Sequence, residues 1–355
     1  MTISRFIAPR RKDPLAFASG VAVARICQDE RGPSVVEFTD GTTMPSACLR
    51  CPDTPCMSYS DVESDAELPV QVTRATDTDV CRFDALTAEA ETGIPQVVTS
   101  NCAGCGLCLS RCPVGAIAWR EDGTVHVQSA AVGGLYVVDD SSESAAHHAS
   151  RAAGLAVLES RCTPAGTWES ARELFDSRTP SLSPYDLRLL VRNLLRAVGS
   201  LAHAGVRGDT SDRSEITFTY DGFVALAVVE SGADVLEAVR RLMTSVAIAH
   251  ARRGVPKENI KAVAFVLQMP NQRTDGYELL RDLSKVLSLD IALLPVAALH
   301  VAVIAARHDR LSVLMRAGTL LDRDARALDL TRPLAEALDI PASSLTRSEV
   351  FRPMK

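Results

Sequence analysis

The run Cys102-Ala-Gly-Cys105-Gly-Leu-Cys108-Leu-Ser-Arg-Cys112-Pro113 brings four thiols into one short stretch, and thiolates at such spacing are soft ligands for iron or zinc. Three cysteines spaced by two residues can reach three corners of one iron–sulfur cube from a single tight loop. Gly104 and Gly106 let the backbone approach the inorganic sulfides and point N–H groups at them. Zinc is the alternative, since tetrahedral four-cysteine sites also use C-x2-C pairs. Zinc ribbons, however, separate their pairs by a longer knuckle and have no use for a third cysteine at the next interval followed by Cys-Pro. The chain holds ten cysteines, and its opening residues MTISRFIAPRRKDP lack the apolar core of a secretory signal. The expected compartment is the cytoplasm, where thiols serve metal or redox chemistry rather than a disulfide framework.

Upstream lies a looser copy, Cys48-Leu-Arg-Cys51-Pro-Asp-Thr-Pro-Cys56. Its fourth member is expected at Cys81, displaced by an acidic, polar insertion from Met57 to Val80. The tails after the two fourth cysteines make the match: Cys112 is followed by Pro-Val-Gly-Ala-Ile and Cys81 by Arg-Phe-Asp-Ala-Leu. Each tail ends in a small residue and then a branched apolar one.

Together the two motifs resemble the two-[4Fe–4S] bacterial-type ferredoxin family, in particular the ferredoxin-like subunits and domains of larger oxidoreductases. The resemblance covers roughly residues 45–125. In that family the fourth cysteine of each motif crosses to the other cluster. Carried over, this implies one [4Fe–4S] cluster on Cys48, Cys51, Cys56 and Cys112, and a second on Cys102, Cys105, Cys108 and Cys81. The departures concern the first motif: Cys81 is not followed by proline, four residues separate Cys51 from Cys56, and the insertion is long. The implied function is an iron–sulfur electron-transfer protein or redox subunit, non-catalytic itself, that relays single electrons to a protein partner. A structural role for the clusters stands beside that reading. The remaining cysteines, Cys27 and Cys162, read as buried and inert.

The elements that must position these residues divide the chain into an N-terminal ferredoxin-like domain over 1–130, a linker with short helices over 131–180, and a C-terminal α/β sandwich domain over 181–355. The overall class is α/β, or α+β for the whole chain. Residues 14–47 alternate as strands, and AIAWREDGTVHV reads as a hairpin turning at Asp122-Gly123. In the C-terminal part, Leu187, Leu190, Val191, Leu194, Leu195, Val198 and Leu201 recur at helical spacing behind Pro184. EITFTY and FVALAVVE follow as strands joined by Asp221-Gly222, then a helix over about 233–252. The continuous apolar run KAVAFVLQM suits a strand covered on both faces. A helix near 277–287, the strand LDIALLP and a last helix complete the order α–β–β–α–β–α–β–α.

Asp221 and Glu230 bracket the strand FVALAVVE in an order that resembles the core of the PD-(D/E)xK nuclease superfamily, where two carboxylates bind a divalent metal. The lysine of that pattern is missing from Glu230-Ser231-Gly232, with Arg240 and Arg241 on the next helix as substitutes. This resemblance implies an alternative function, a nucleic-acid-associated protein whose clusters are structural or redox-sensing. The bland reading is a hairpin turn at Asp221-Gly222 and a strand end at Glu230. No G-x4-G-K-[ST] loop or strand-borne G-x-G-x-x-G occurs, so those nucleotide and flavin folds are not expected. His147 and His148 fall in the linker, and His203, His250, His300 and His308 are expected on helices as packing residues. Net charge is −6, with 14 Lys and Arg against 24 Asp and Glu over residues 1–177, and 24 against 20 over 178–355. The acidic front suits docking to a basic redox partner, and the weakly basic back does not argue for nucleic acid. The most apolar stretch, 291–306, is broken by Pro295 and His300 and is too short for a membrane span.

Overall fold

The computed structural model describes residues 24–27, 35–38, 43–45, 48, 54–59, 67–70, 72–90, 93–112, 116–127, 165–206, 214–232, 235–271, 275–305, 307–319, 329–345 and 349–353. The chain divides into two units: residues 1–65 with 78–174, and residues 66–77 with 175–355. Cys51, Cys162, His147 and His148 lie outside the described residues.

The first unit is built from short pieces, because the metal-binding loops leave little room for long periodic segments. Its strands are β1 (Ala24–Cys27), β2 (Val35–Phe38), β3 (Thr43–Pro45), β4 (Leu86–Ala88) and β5 (Pro95–Val97). The helix α1 (Leu107–Arg111) precedes β6 (Ile117–Trp119) and β7 (Val125–Val127). β1, β2 and β3 form an antiparallel meander, as the alternation of GVAVARI and PSVVEF requires, while β4 pairs with β5 and β6 with β7. The turn between β6 and β7 is closed by Asp122, whose Oδ1 accepts from the Thr124 N–H at 2.9 Å and from its hydroxyl at 2.6 Å. The helix α2 (Ala165–Arg178) follows, and the division between the units falls within it, at 174/175.

The second unit continues with α3 (Pro184–Ala197), β8 (Ala202–Ala204), β9 (Ile216–Tyr220), β10 (Phe223–Glu230), α4 (Val235–Arg253) and β11 (Ile260–Val266). Then come α5 (Gly276–Leu287), β12 (Ile291–Pro295), α6 (Val296–Ile304), α7 (Leu311–Gly318) and α8 (Thr331–Leu338). Compared with the order expected from the sequence, the strand β8 and the helices α7 and α8 are additional. The five-stranded sheet runs β12-β11-β10-β9-β8. β10, β11 and β12 are parallel, β9 pairs antiparallel with β10, and β8 pairs antiparallel with β9. Val224 to Val229 are all buried; since successive side chains point to opposite faces, both faces of β10 are covered. α3 and α4 supply cover, both packing on β10. α3 starts at Ser183, whose hydroxyl accepts from the Asp186 N–H, with Pro184 in the first turn as favoured at that position.

Residues 66–77 join this unit through hydrogen bonds to it. The Ala75 N–H donates to the Ala204 carbonyl at 2.9 Å, and Arg74 bridges antiparallel to Gly205. Arg192, nearly fully buried on α3, donates Nη1 to the Asp77 carbonyl at 2.8 Å and Nε and Nη2 to Asn193 Oδ1 at 3.0 and 2.9 Å. His203 lies on β8, not on a helix, and is buried 3.4 Å from Arg196 Nη2. His300, on α6, is buried and stacks on Phe175 with ring centroids 4.0 Å apart. His250 ends α4 with Nδ1 2.9 Å from the Val255 carbonyl.

The β9–β10 hairpin turns through Asp221 at φ 48° and Gly222 at φ 78°, the paired positive φ values of the favoured two-residue turn. A Cβ on Gly222 would meet nothing within 4 Å, so only backbone strain opposes a side chain there. Gly222→Ala should therefore cost about 1–2 kcal/mol and leave the fold intact, measured as the urea unfolding midpoint against the parent chain.

Candidate metal centre

The cysteines of the Cys102 motif sit on a loop whose turns need glycine. Gly104 and Gly106 have φ of 62° and 75°, in the left-handed region that residues with a Cβ avoid. Gly106 is the N-cap of α1, which buries Leu107 and Leu109 and carries Cys108. At Gly104 the missing Cβ also provides space: one placed there would lie 2.7 Å from the Gly123 carbonyl oxygen and 3.0 Å from the Ala171 backbone. The hairpin turn at Gly123 and the helix α2 thus press directly against the cysteine loop.

The thiols fall into two groups. Cys81, Cys102, Cys105 and Cys108 line one pocket together with apolar side chains such as Phe83, Leu86 and Val125. Burial pushes the Cys105 and Cys81 thiols above their ordinary range. Neighbouring Cys81 and Cys102 raise Cys105 further, and Cys102 does the same to Cys81. Cys108 is raised by burial and then by Cys105, Cys81 and Cys102, and last by Cys56 of the other group. Burial likewise pushes Cys56 up; the sulfurs beside it are Cys112 and Cys48, and the Arg111 guanidinium pulls the other way. Cys112 and Cys48 are thus both neighbours of Cys56, while Cys81 is a neighbour of the Cys102 loop.

The two fourth cysteines have the same local geometry. The Ala116 N–H donates to Cys112 Sγ at 3.1 Å, and the Ala85 N–H donates to Cys81 Sγ at 3.4 Å, each from four residues downstream. These alanines are the small residues that the two tails share. A hydrogen bond to sulfur favours the thiolate over the thiol.

A resident metal fits this donor set. Several buried thiols side by side cannot ionise together without a strong positive charge among them, and iron supplies it. Among the described residues, no three His, Cys, Asp or Glu side chains are gathered so as to hold a metal ion. A four-iron cube spreads its sulfur ligands over separate corners, which suits thiols grouped around a pocket better than a lone zinc would.

The acidic pair of the second unit does not converge. Asp221 sits in the turn that opens β10 and Glu230 closes the strand, which separates them by more than about 20 Å at about 3.3 Å per residue. Asp221 lies 3.6 Å from Arg316, both half exposed. Glu230 instead faces Glu215, which the sequence reading did not single out. Arg241 of α4 spans the two carboxylates, Glu215 also accepts from the Val229 N–H at 2.7 Å, and Glu230 from the Gly232 N–H at 2.9 Å. The expected metal site on Asp221 and Glu230 is therefore replaced by a carboxylate pair neutralised by one guanidinium. Arg240, the other substitute considered, points to solvent beside Glu237 at 3.5 Å. A cavity of about 290 Å³ lies at the carboxyl ends of β10, β11 and β12, lined among others by Asp176, Ser231, Gln268 and Val296. Such a position is where open parallel sheets bind ligands, and that rule would have located it from the strand order alone.

Residues 95–118 match the 4Fe-4S binding domain family, so the chain contains a ferredoxin-type iron–sulfur domain. An iron-sulfur protein of Rhodospirillum rubrum is 36% identical over 91 residues, covering 26% of this chain and 36% of that protein. An uncharacterized ferredoxin of Methanocaldococcus jannaschii is 30% identical over 92 residues, covering 26% of this chain and 44% of that one. The chain thus spans less than half the length of either relative. Among solved structures, restriction endonuclease FokI aligns with a TM-score of 0.31 at 10% identity, over 57% of this chain and 37% of that one. Within the described residues, no helix is long and apolar enough to cross a membrane.

The close packing at Gly104 sets an expected outcome. Gly104→Ala combines a strained φ with overlap against the Gly123 carbonyl, together about 2–5 kcal/mol. The full-length variant should bind markedly less iron than the parent after identical anaerobic reconstitution, measured as iron per chain.

Proposed function

We propose that this protein relays single electrons between redox partners through two [4Fe–4S] clusters, one on Cys48, Cys51, Cys56 and Cys112 and the other on Cys102, Cys105, Cys108 and Cys81. The observation that carries the reading is the grouping of the thiols, with Cys112 and Cys48 both beside Cys56, and Cys81 in the pocket of the Cys102 loop. Each fourth cysteine belongs with the other motif's loop, which is the crossed arrangement of two-cluster ferredoxins. When bound, such clusters supply reversible one-electron oxidation and reduction.

The protein's own groups do the rest. Cys105, Cys102 and Cys112 are buried and Cys81 and Cys108 half-buried, which keeps bulk water from the ligand sulfurs. The Ala85 and Ala116 N–H groups hold their thiolates in place and offset negative charge. The partner is a protein with a basic face that docks on the acidic first part of the chain, where residues 1–177 hold 24 acidic against 14 basic residues, since complementary fields speed encounter. The chain itself acts as an electron carrier without its own substrate chemistry.

Anaerobic iron and acid-labile sulfide analysis of the full chain tests the reading. About eight irons and eight sulfides per chain are expected; about four would remove the relay. Cys81→Ser should lower the iron content or alter the spectrum of the cluster on the Cys102 loop while leaving the signal that Cys56→Ser disturbs. The opposite pattern would reverse the ligand assignment.

A further inference from the structure

Arg111 is a large cation in an unusual position. Only 7% of it is exposed, and it lies immediately before Cys112 at the end of α1. Its Nε donates to the Pro55 carbonyl at 2.6 Å and its Nη2 to the Ser58 carbonyl at 3.3 Å. The guanidinium carbon sits 4.0 Å from the centroid of the Tyr59 ring, which is itself buried. The guanidinium therefore grips the backbone on both sides of Cys56 while its own backbone leads into Cys112. Those two cysteines are assigned to the same cluster, so the contacts fasten together the two segments that carry its ligands.

A fixed charge in such a place acts on electron affinity. One-electron reduction leaves a four-cysteine site one unit more negative, with no proton needed for balance. A buried cation close by stabilises that extra charge strongly, because little solvent screens it. Iron–sulfur potentials respond to net charge and exposure around the cluster, and the side chain here is pinned by two hydrogen bonds and an aromatic face. Arg82, which follows Cys81 in the other ligand set, lies 3.9 Å from the carboxylate of Asp79, so its charge is partly offset.

We propose that Arg111 raises the reduction potential of the cluster on Cys48, Cys51, Cys56 and Cys112 selectively, and so sets which of the two sites holds the transferred electron. This rests on the two-cluster reading above. It makes Arg111 a positioning and tuning residue, since it contacts the ligand-bearing backbone and not the electron's partner protein.

The test is an EPR-monitored redox titration of the full chain, reconstituted anaerobically, as the parent, Arg111→Gln and Arg111→Lys, with Cys56→Ser marking which wave belongs to this site. Iron analysis of the parent comes first. About eight irons leave the two-cluster reading standing whatever the variants do, and about four end that reading and this proposal together. In Arg111→Gln the marked wave should fall by at least tenfold in its reduction equilibrium, about 59 mV for one electron, and the other wave should stay. Arg111→Lys, which keeps the charge but not the paired backbone bonds, should return most of that shift. Waves that stay fixed or move together in Arg111→Gln would overturn the proposal. Should Arg111→Gln assemble only one cluster, Arg111→Lys decides: a marked wave near the parent position supports the proposal, and a tenfold fall overturns it.

Discussion

The constraint on which the first unit depends is the cost of crowding ionised sulfurs away from water. Each cysteine that burial pushes toward the thiol also lies beside others that would repel it as a thiolate. A cationic metal core removes both penalties at once, which is why sulfur ligands and iron come as a set. The surrounding backbone is arranged for the same purpose. N–H groups from Ala85 and Ala116 face the sulfurs of Cys81 and Cys112, and glycines turn the loop where side chains would block it. Without metal the pocket is a poorly solvated gathering of thiols; with it, the same atoms become a tightly ligated core.

The second unit solves its packing with ordinary means. β10 and β11 are largely apolar and covered on both faces, while the buried arginines Arg192 and Arg196 satisfy the carbonyls of Asp77 in segment 66–77 and of Ala202 on the edge strand β8. At the far end of β10, Arg241 holds Glu215 and Glu230. Two nearly buried carboxylates, one just before β9 and one at the end of β10, repel each other, and a guanidinium between them turns that repulsion into two charge-assisted hydrogen bonds. The clamp ties α4 to the β9–β10 pair. It also occupies the place where the two carboxylates could otherwise converge on a small cation.

Much of this was legible from spacing. The Cys102 run is a local motif, and its four cysteines can be picked out with no knowledge of the fold. The local likeness of Cys81 to Cys112 is legible in the two tails, where the alanine four residues beyond each cysteine donates to its sulfur. The β9–β10 hairpin announced itself through Asp221-Gly222, and β11 through its unbroken apolar run. What failed was tertiary. Asp221 and Glu230 look close along the sequence, but an extended strand holds its ends far apart. Glu215 is invisible from the motif, since only the antiparallel pairing of β9 with β10 brings it beside Glu230. β8 was missed because three residues carry too little alternation to read. Arg111 carries no signal in the sequence beyond its place before Cys112, and only the fold reveals its burial and its carbonyl partners.

The segment 66–77 makes the two units topologically inseparable. It leaves the first unit between Cys56 and Cys81, donates to Ala204, bridges to Gly205 and receives Arg192, and then returns. The chain therefore passes between the units three times, and no single cut releases either one whole. A fragment ending at residue 174 would contain all ten cysteines, yet it would carry 66–77 without the groups that hold it. The backbone at residues 74–77, between Cys56 and Cys81, is thus held by residues that lie later in the chain than the whole cysteine-rich region.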